Sequence, residues 1–168
     1  MSEHESPITP HIPRLRRYAR ALTGDRNAAD DLVQDTLERA LSRLHLWREG
    51  SDLRAWLFTI MHNIYVNQTR SRMRRLVEAL DETSYEALQA REPDWADLRD
   101  IDDALTRLPA EQRAVLLLVG LEQFTYEEAA RVLEVPVGTV MSRLSRGRER
   151  LRVMLAMDSK ATTLKVVK

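Results

Sequence analysis

Between Thr125 and Arg152 the sequence reads TYEEAARVLEVPVGTVMSRLSRGRERLR, and this spacing constrains the fold more than any other stretch. Thr125 with Glu128 three residues later is a capping box, in which each side chain satisfies the other's backbone N–H, so a helix starts there. That helix carries Ala129, Ala130, Val132 and Leu133. After a short turn at Glu134-Val135, Pro136 suits the first turn of a second helix, where its missing N–H would have no partner anyway. Two helices joined by a tight turn, the second one basic, make a helix-turn-helix. At about 100° per residue, Val140, Leu144, Gly147, Leu151 and Leu155 align inward, while Ser142, Ser145, Arg146 and Glu149 point outward, flanked by Arg143 and Arg150. An arginine on such a face can bridge a guanine edge or hold phosphate, and the serines let the helix sit close to a groove. A solvated amphipathic helix is the plain alternative. Against it stand the turn in front and the lack of balancing acids apart from Glu149.

A segment of this kind suits a polyanion, yet 26 Lys and Arg stand against 26 Asp and Glu over the 168 residues. The length allows one ordinary domain or two small helical ones, and few glycines, few aromatics and 31% charge favour an all-α chain. The absence of cysteine removes disulfides and thiolate metal sites and fits a reducing compartment. His4, His11, His45 and His62 share no ligand spacing, so no metal site is read. No stretch approaches a membrane span, and MSEHESPITPHIP lacks the apolar block of a signal peptide, so a cytoplasmic location without membrane insertion is expected. There is no P-loop and no nucleophile beside a base, so no catalytic residues and no cofactor are expected, and the chain is read as a non-enzyme.

Along the chain, residues 1–12 contain Pro7 and Pro10, show no periodicity and are expected to be disordered. From Pro13, Leu15, Tyr18, Ala19 and Leu22 share one helical face, and Thr23-Gly24-Asp25 ends that helix and caps the next. The second helix is expected from Asn27 to Leu46, with Ala29, Leu32, Val33, Thr36, Ala40 and Leu44 inward. After WREGSD, Ser51 or Asp52 can cap a third helix from Leu53 to Leu76. Residues 13–76 thus form one bundle. Residues 77–97 differ: Glu78, Asp81, Glu82, Glu86, Glu92, Asp94 and Asp97 face only Arg91, and Pro93 interrupts any helix, which predicts a flexible acidic linker. A second helical domain is expected over 98–157, with Leu98, Ile101, Leu105 and Leu108 on one helix, Pro109 opening another, and Ala114 to Leu121 apolar nearly all round. The tail, 158–168, has no pattern and is expected to be disordered.

Two further faces carry chemistry. The third helix has Arg54, Arg70, Arg72, Arg74 and Arg75 and no acid as far as Leu76. Leu53, Leu57, Ile60 and Ile64 form its buried seam, and Trp56, Asn63, Asn67, Arg70 and Arg74 fall in a stripe beside it. Amides can pair with base edges, an aromatic can stack on an unpaired base, and arginines hold the backbone, although Trp56 taken alone reads as core before it reads as a stacking partner, and the arginines alone as a surface patch. On the second helix Asp31, Gln34, Asp35 and Glu38 point away from the seam. Asp31 and Asp35 are a like-charge pair at i,i+4, slightly destabilising unless a cation meets them, as on a protein docking face.

These residues together resemble the extracytoplasmic-function group of bacterial sigma factors. The matching runs are DLVQDTLERAL (Asp31 to Leu41), LRAWLFTIMHNIYVNQTRSRMRR (Leu53 to Arg75), LPAEQRAVLLL (Leu108 to Leu118) and FTYEEAARVLEVPVGTVMSRLSRGRERLR (Phe124 to Arg152). The resemblance implies a sigma-2 and a sigma-4 domain. It also implies that Asp31, Gln34, Asp35 and Glu38 dock on the clamp helices of core RNA polymerase, with the flap as a further contact. Asn63, Asn67, Arg70 and Arg74 would read the minus-10 promoter element, and the loop with Trp47, Gly50 and Ser51 would cradle a flipped base. Thr139, Ser142, Arg143, Ser145, Arg146 and Arg150 would enter the major groove at the minus-35 element. An anti-sigma factor clamped on or between the domains is implied as well. Met141 stands where many relatives have a basic residue, Asn67 where aspartate is common, and Gly147 where alanine is usual, at a helix-propensity cost of up to about 1 kcal/mol.

Charge segregation then explains neutrality: two basic faces serve DNA, and an acidic face and linker serve polymerase. A freestanding helix-turn-helix regulator would gain from net positive charge and leaves the stripe on the third helix without a task. A sigma mimic that sequesters an anti-sigma factor could lose the recognition arginines, which this chain keeps.

Overall fold

The computed structural model describes residues 5–80 and 101–166, and every regular element among them is helical. The acidic stretch of the expected linker, from Asp81 to Asp97, lies outside the described residues.

Helix α1 (Ile12–Thr23) buries Leu15, Tyr18, Ala19 and Leu22, the face that the 3.6-residue period selects. It stops because Gly24 turns into the left-handed region (φ 67°) and donates its N–H back to Arg20 O at 2.9 Å. Asp25 then caps α2 (Arg26–Arg43) by accepting from the Asn27 N–H. A 3-10 turn, Leu44–Leu46, and a loop lead to α3 (Leu53–Ala79), capped by Asp52, whose carboxylate accepts from the Ala55 N–H at 3.1 Å. Of the two candidate caps, it is the aspartate that acts. Helix α3 continues three residues beyond the expected Leu76, since Val77, Glu78 and Ala79 include no breaker.

In the C-terminal half, α4 (Ile101–Thr106) and α5 (Ala110–Leu116) precede a π-helical turn over Leu117–Leu121. The helix-turn-helix follows as α6 (Tyr126–Leu133) and α7 (Val137–Val166). Both arms of the capping box form: Thr125 Oγ1 accepts from the Glu128 N–H at 3.1 Å and Glu128 Oε2 from the Thr125 N–H at 3.4 Å. Glu134 makes the turn in the left-handed region (φ 55°), a conformation costly for a residue with a Cβ and held here by the Val135 N–H to Ala130 O bond.

Three expectations are corrected. Residues 8–11, within the stretch expected to be disordered, have a defined place: Ile8 is 2% exposed in the core, and Thr9–His11 form a 3-10 turn that a proline suits because its φ is already helical. The tail is not patternless coil; α7 runs on to Val166, with no proline or glycine after Gly147 to stop it. The apolar stretch Ala114 to Leu121 is not one α-helix but α5 plus the π turn.

The two helical halves expected from the sequence are present, and among the described residues they also share one core. Leu15, Tyr18, Leu57 and Phe58 belong to the same buried cluster as Val115, Leu118, Phe124 and Val140. Phe58 stacks edge-on against both Tyr18 and Phe124, each at 5.2 Å between ring centres. Arg113 spends its guanidinium on four carbonyls, those of Leu105, Thr106 and Leu108 in its own half and Leu22 across the joint. Gly147 has a packing reason: a Cβ there would lie 2.9 Å from Leu116 Cδ1, so its absence lets α7 approach α5.

Candidate nucleic-acid interface

On α3, Asn63, Asn67, Arg70 and Arg74 are exposed, whereas Trp56 is half-buried and packed on the core. The stripe therefore keeps its amides and guanidiniums but not its indole. The preceding loop places Gly50 (φ 92°) and Ser51 at the surface, tied by the Ser51 hydroxyl to Arg48 O at 2.6 Å. Trp47 packs on the core with its indole Nε1 buried and without a hydrogen-bond partner.

On α7, Ser142, Ser145, Arg146 and Arg150 are exposed and Thr139 is half-buried. Glu149, the lone acid of that face, is held by Arg152 at 2.7 Å, which lowers its carboxyl below the ordinary value and leaves the basic character of the face intact. Arg143 behaves differently: its side chain is 24% exposed and pairs with Glu111 at 3.6 Å. It turns toward α5 of its own half, at the edge of the cleft between the halves.

The turned arginine shares a cleft with the α3 stripe. The cleft, about 620 Å³, is lined by His62, Asn63, Asn67 and Arg70 on one side and by Glu111, Glu134 and Arg143 on the other. Burial lowers the His62 pKa to about 4 from 6.5, and Arg143 adds to the effect. The unfolded chain then binds more protons than the folded one between those values, so this contribution to stability is complete above pH 6.5 and is lost as pH falls toward 4. Thermal unfolding of wild type and His62→Gln is expected to diverge below pH 6.5, the wild type losing Tm faster. Parallel curves would show that His62 is solvated.

On α2, Asp31, Gln34, Asp35 and Glu38 are all exposed, as the periodicity requires. Gln68 of α3 donates to Asp35 Oδ2 at 2.9 Å and Gln34 to Glu38 Oε1 at 3.4 Å, which fixes the ridge. Sequence reasoning missed two features beside it. Leu41 is 57% exposed, and the groove next to the ridge is lined by Arg16, Arg20 and Arg26 as well as by Gln34, Leu37 and Glu38. The periodicity of α2 places Leu41 off the buried seam, a signal that was available.

The joint between the halves was also missed. Glu122, with a fully buried side chain, accepts from Arg17 Nε and Nη2 at 3.2 and 3.0 Å through Oε1, while its Oε2 has no partner. Arg54 lies 4.1 Å over the Phe124 ring, donates to Glu122 O and pairs with Glu128 at 3.3 Å. Burial pushes the Tyr18 phenol far above its ordinary value, with Tyr65 and Glu122 adding. No group of potential metal ligands occurs among the described residues, and no described helix is long and apolar enough to cross a membrane.

Residues 8–62 match the family profile for the sigma-2 domain of PhyR, and residues 98–151 match sigma-70 region 4. The ECF RNA polymerase sigma factor EcfG of Rhodopseudomonas palustris is 42% identical over 153 residues, covering 90% of this chain and 84% of that protein. The chain belongs to the ECF sigma factors of RNA polymerase. The ECF sigma factor SigL of Mycobacterium tuberculosis is 36% identical, over 86% of this chain and 84% of its own length. Among solved structures, the sigma factor RpoE of Bartonella quintana, crystallised with the anti-sigma factor NepR, superposes with a TM-score of 0.74 at 36% identity, covering 90% of this chain and 95% of that one. CnrH in complex with the cytosolic domain of CnrY gives a TM-score of 0.63 at 27% identity, over 90% of this chain and 86% of that chain.

Proposed function

We propose that the chain acts as a sigma subunit: it docks on core RNA polymerase and directs promoter-specific transcription initiation. The observation that carries this reading is a pair of separate polar and cationic faces, Asn63, Asn67, Arg70 and Arg74 on α3 and Ser142, Ser145, Arg146 and Arg150 on α7, in a chain whose charges sum to zero. A protein that bound promoters by itself would draw most of its affinity from net positive charge. A neutral subunit relies on a partner to position both faces.

The minus-10 element is assigned to the α3 face and the minus-35 element to the α7 face, with the Asp31, Gln34, Asp35 and Glu38 ridge on the polymerase clamp helices and Leu41 as its apolar neighbour. In domain terms, residues 13–76 are the sigma-2 part, 77–97 the linker and 98–157 the sigma-4 part. Holding two elements at once makes the second binding event intramolecular, so each strengthens the other through effective concentration. Capture of an unstacked base by the Trp47, Gly50 and Ser51 loop offsets the few kcal/mol of extrusion and favours strand opening. The chain itself makes and breaks no bonds, and it works in the cytoplasm beside polymerase. An anti-sigma factor is its expected regulator, in keeping with the RpoE and CnrH complexes.

The match of residues 8–62 to the PhyR profile supports a second reading, a sigma mimic that titrates an anti-sigma factor. Retention of the arginines on both faces favours the first. Run-off transcription with purified core polymerase decides between them: a promoter-specific transcript that depends on this chain is expected, and its absence while an anti-sigma factor is still bound would establish the mimic.

A further inference from the structure

Three large apolar side chains of α7 are exposed. Val153 and Met157 stand beyond its serine and arginine face, whereas Met141, 52% exposed, stands at the edge of that face. Met141 is the fifth residue of the helix, at the end that reaches base edges when such a helix lies in a major groove. At about 100° per residue it falls roughly 40° from Ser145, on the far side of the face from Arg143. Its neighbours one turn away are Gly138 and Ser145, and Ser142 follows it in the chain, so the thioether stands clear of short side chains. No internal packing accounts for the glycine: a Cβ at Gly138 would meet nothing within 4 Å, and glycine is unfavourable inside a helix. A bare backbone at an exposed helix start admits close approach by something outside the chain.

On its other side Met141 shares a depression of about 430 Å³ with Tyr126 and Arg148. Arg148 is exposed and engages no carboxylate among the described residues, while Arg152, in the same depression, is paired with Glu149. An apolar side chain beside an uncommitted guanidinium matches one feature of duplex DNA. The methyl group of thymine is the apolar mark of the major groove, and it projects on the side of the base nearest its own phosphate strand. We propose that Met141 is a specificity residue: with Arg148 on the phosphate strand, its thioether covers the methyl group of one thymine in the minus-35 element. This rests on the sigma-subunit reading with α7 at minus-35, and adds a base preference to it. Methionine donates no hydrogen bond and its sulfur accepts weakly, so contact with a methyl group is the readout its chemistry allows. A cytosine at the same step lacks the methyl and loses the contact. Single exposed methionines are common on protein surfaces. What gives this one a task is its place, between a bare glycine and a serine at the groove end of a basic helix.

Met141 lies outside the buried core, so its variants should keep the wild-type Tm, and the full chain on core polymerase serves throughout. Sites are first selected from random-sequence duplex DNA by polymerase carrying this chain. Each thymine of the selected minus-35 element is then replaced singly by uracil, which removes the methyl and leaves every hydrogen-bonding group in place. One such replacement should weaken binding by roughly fourfold, the contribution of one buried methyl. Met141→Ala should show the same loss on thymine DNA and no further loss on the uracil duplex, a non-additivity that independent contacts lack. Met141→Leu, which keeps the apolar volume, should still discriminate. A selected element with no thymine on either strand, uracil tolerated at every position, or losses from uracil and from Met141→Ala that add, would overturn the proposal. Arg146→Ala separates this from the wider reading. If it weakens binding while uracil is tolerated, only the role of Met141 falls. If Arg146→Ala and Met141→Ala both bind as wild type does, α7 does not read the element at all.

Discussion

Phe58→Ala is expected to lower the unfolding free energy by about 3–5 kcal/mol, the usual loss for truncating a buried phenylalanine. The ring is 0% exposed and meets both Tyr18 and Phe124 edge-on, so its removal leaves a cavity in which neither neighbour keeps its partner. Set against about 5–15 kcal/mol for a typical domain, this is a large share of the total. It should move the urea midpoint by about 1–2 M. Phe124→Ala gives the complementary test. If the halves share one core, both truncations shift a single transition. A biphasic curve in which Phe124→Ala moves only one phase would show that the halves unfold separately.

Arg146→Ala should weaken binding of polymerase carrying this chain to a promoter by roughly 5- to 150-fold, the range for losing one bidentate guanine contact of about 1–3 kcal/mol. Asn63→Ala should leave duplex recognition at minus-35 nearly unchanged and instead reduce permanganate reactivity of minus-10 thymines, because under the proposed assignment its exposed amide would pair with bases only once they are unstacked. Normal melting with Asn63→Ala, or normal promoter affinity with Arg146→Ala, would remove the corresponding residue from the interface.

The exposure of the candidate site residues is legible in the primary structure because helical periodicity alone decides which residues of a helix can face solvent. Asp31, Gln34, Asp35 and Glu38 are exposed, as are Asn63, Asn67, Arg70, Ser142, Ser145 and Arg146, and the capping box at Thr125 starts α6 where expected. Periodicity fails for residues whose partner lies far along the chain. Arg17 and Glu122 are 105 residues apart and Arg54 and Glu128 are 74 apart, and nothing local in either pair marks one side for the other. Arg143 shows the same limit, because its helical position allows it to face DNA while its ion pair draws it to Glu111. Gly147 reads as a local defect until Leu116 is seen packed against it.

Local pattern was enough for the main helices, the capping box at Thr125, the solvent-facing acidic and basic faces and the membership in the sigma family, since each depends on the i, i+3, i+4 spacing of nearby residues or on runs of matching residues. That the two halves close on one another emerges first in the folded chain. That outcome depends on long-range burial: one aromatic ring and one buried carboxylate find their partners across the chain, and no local pattern encodes the choice.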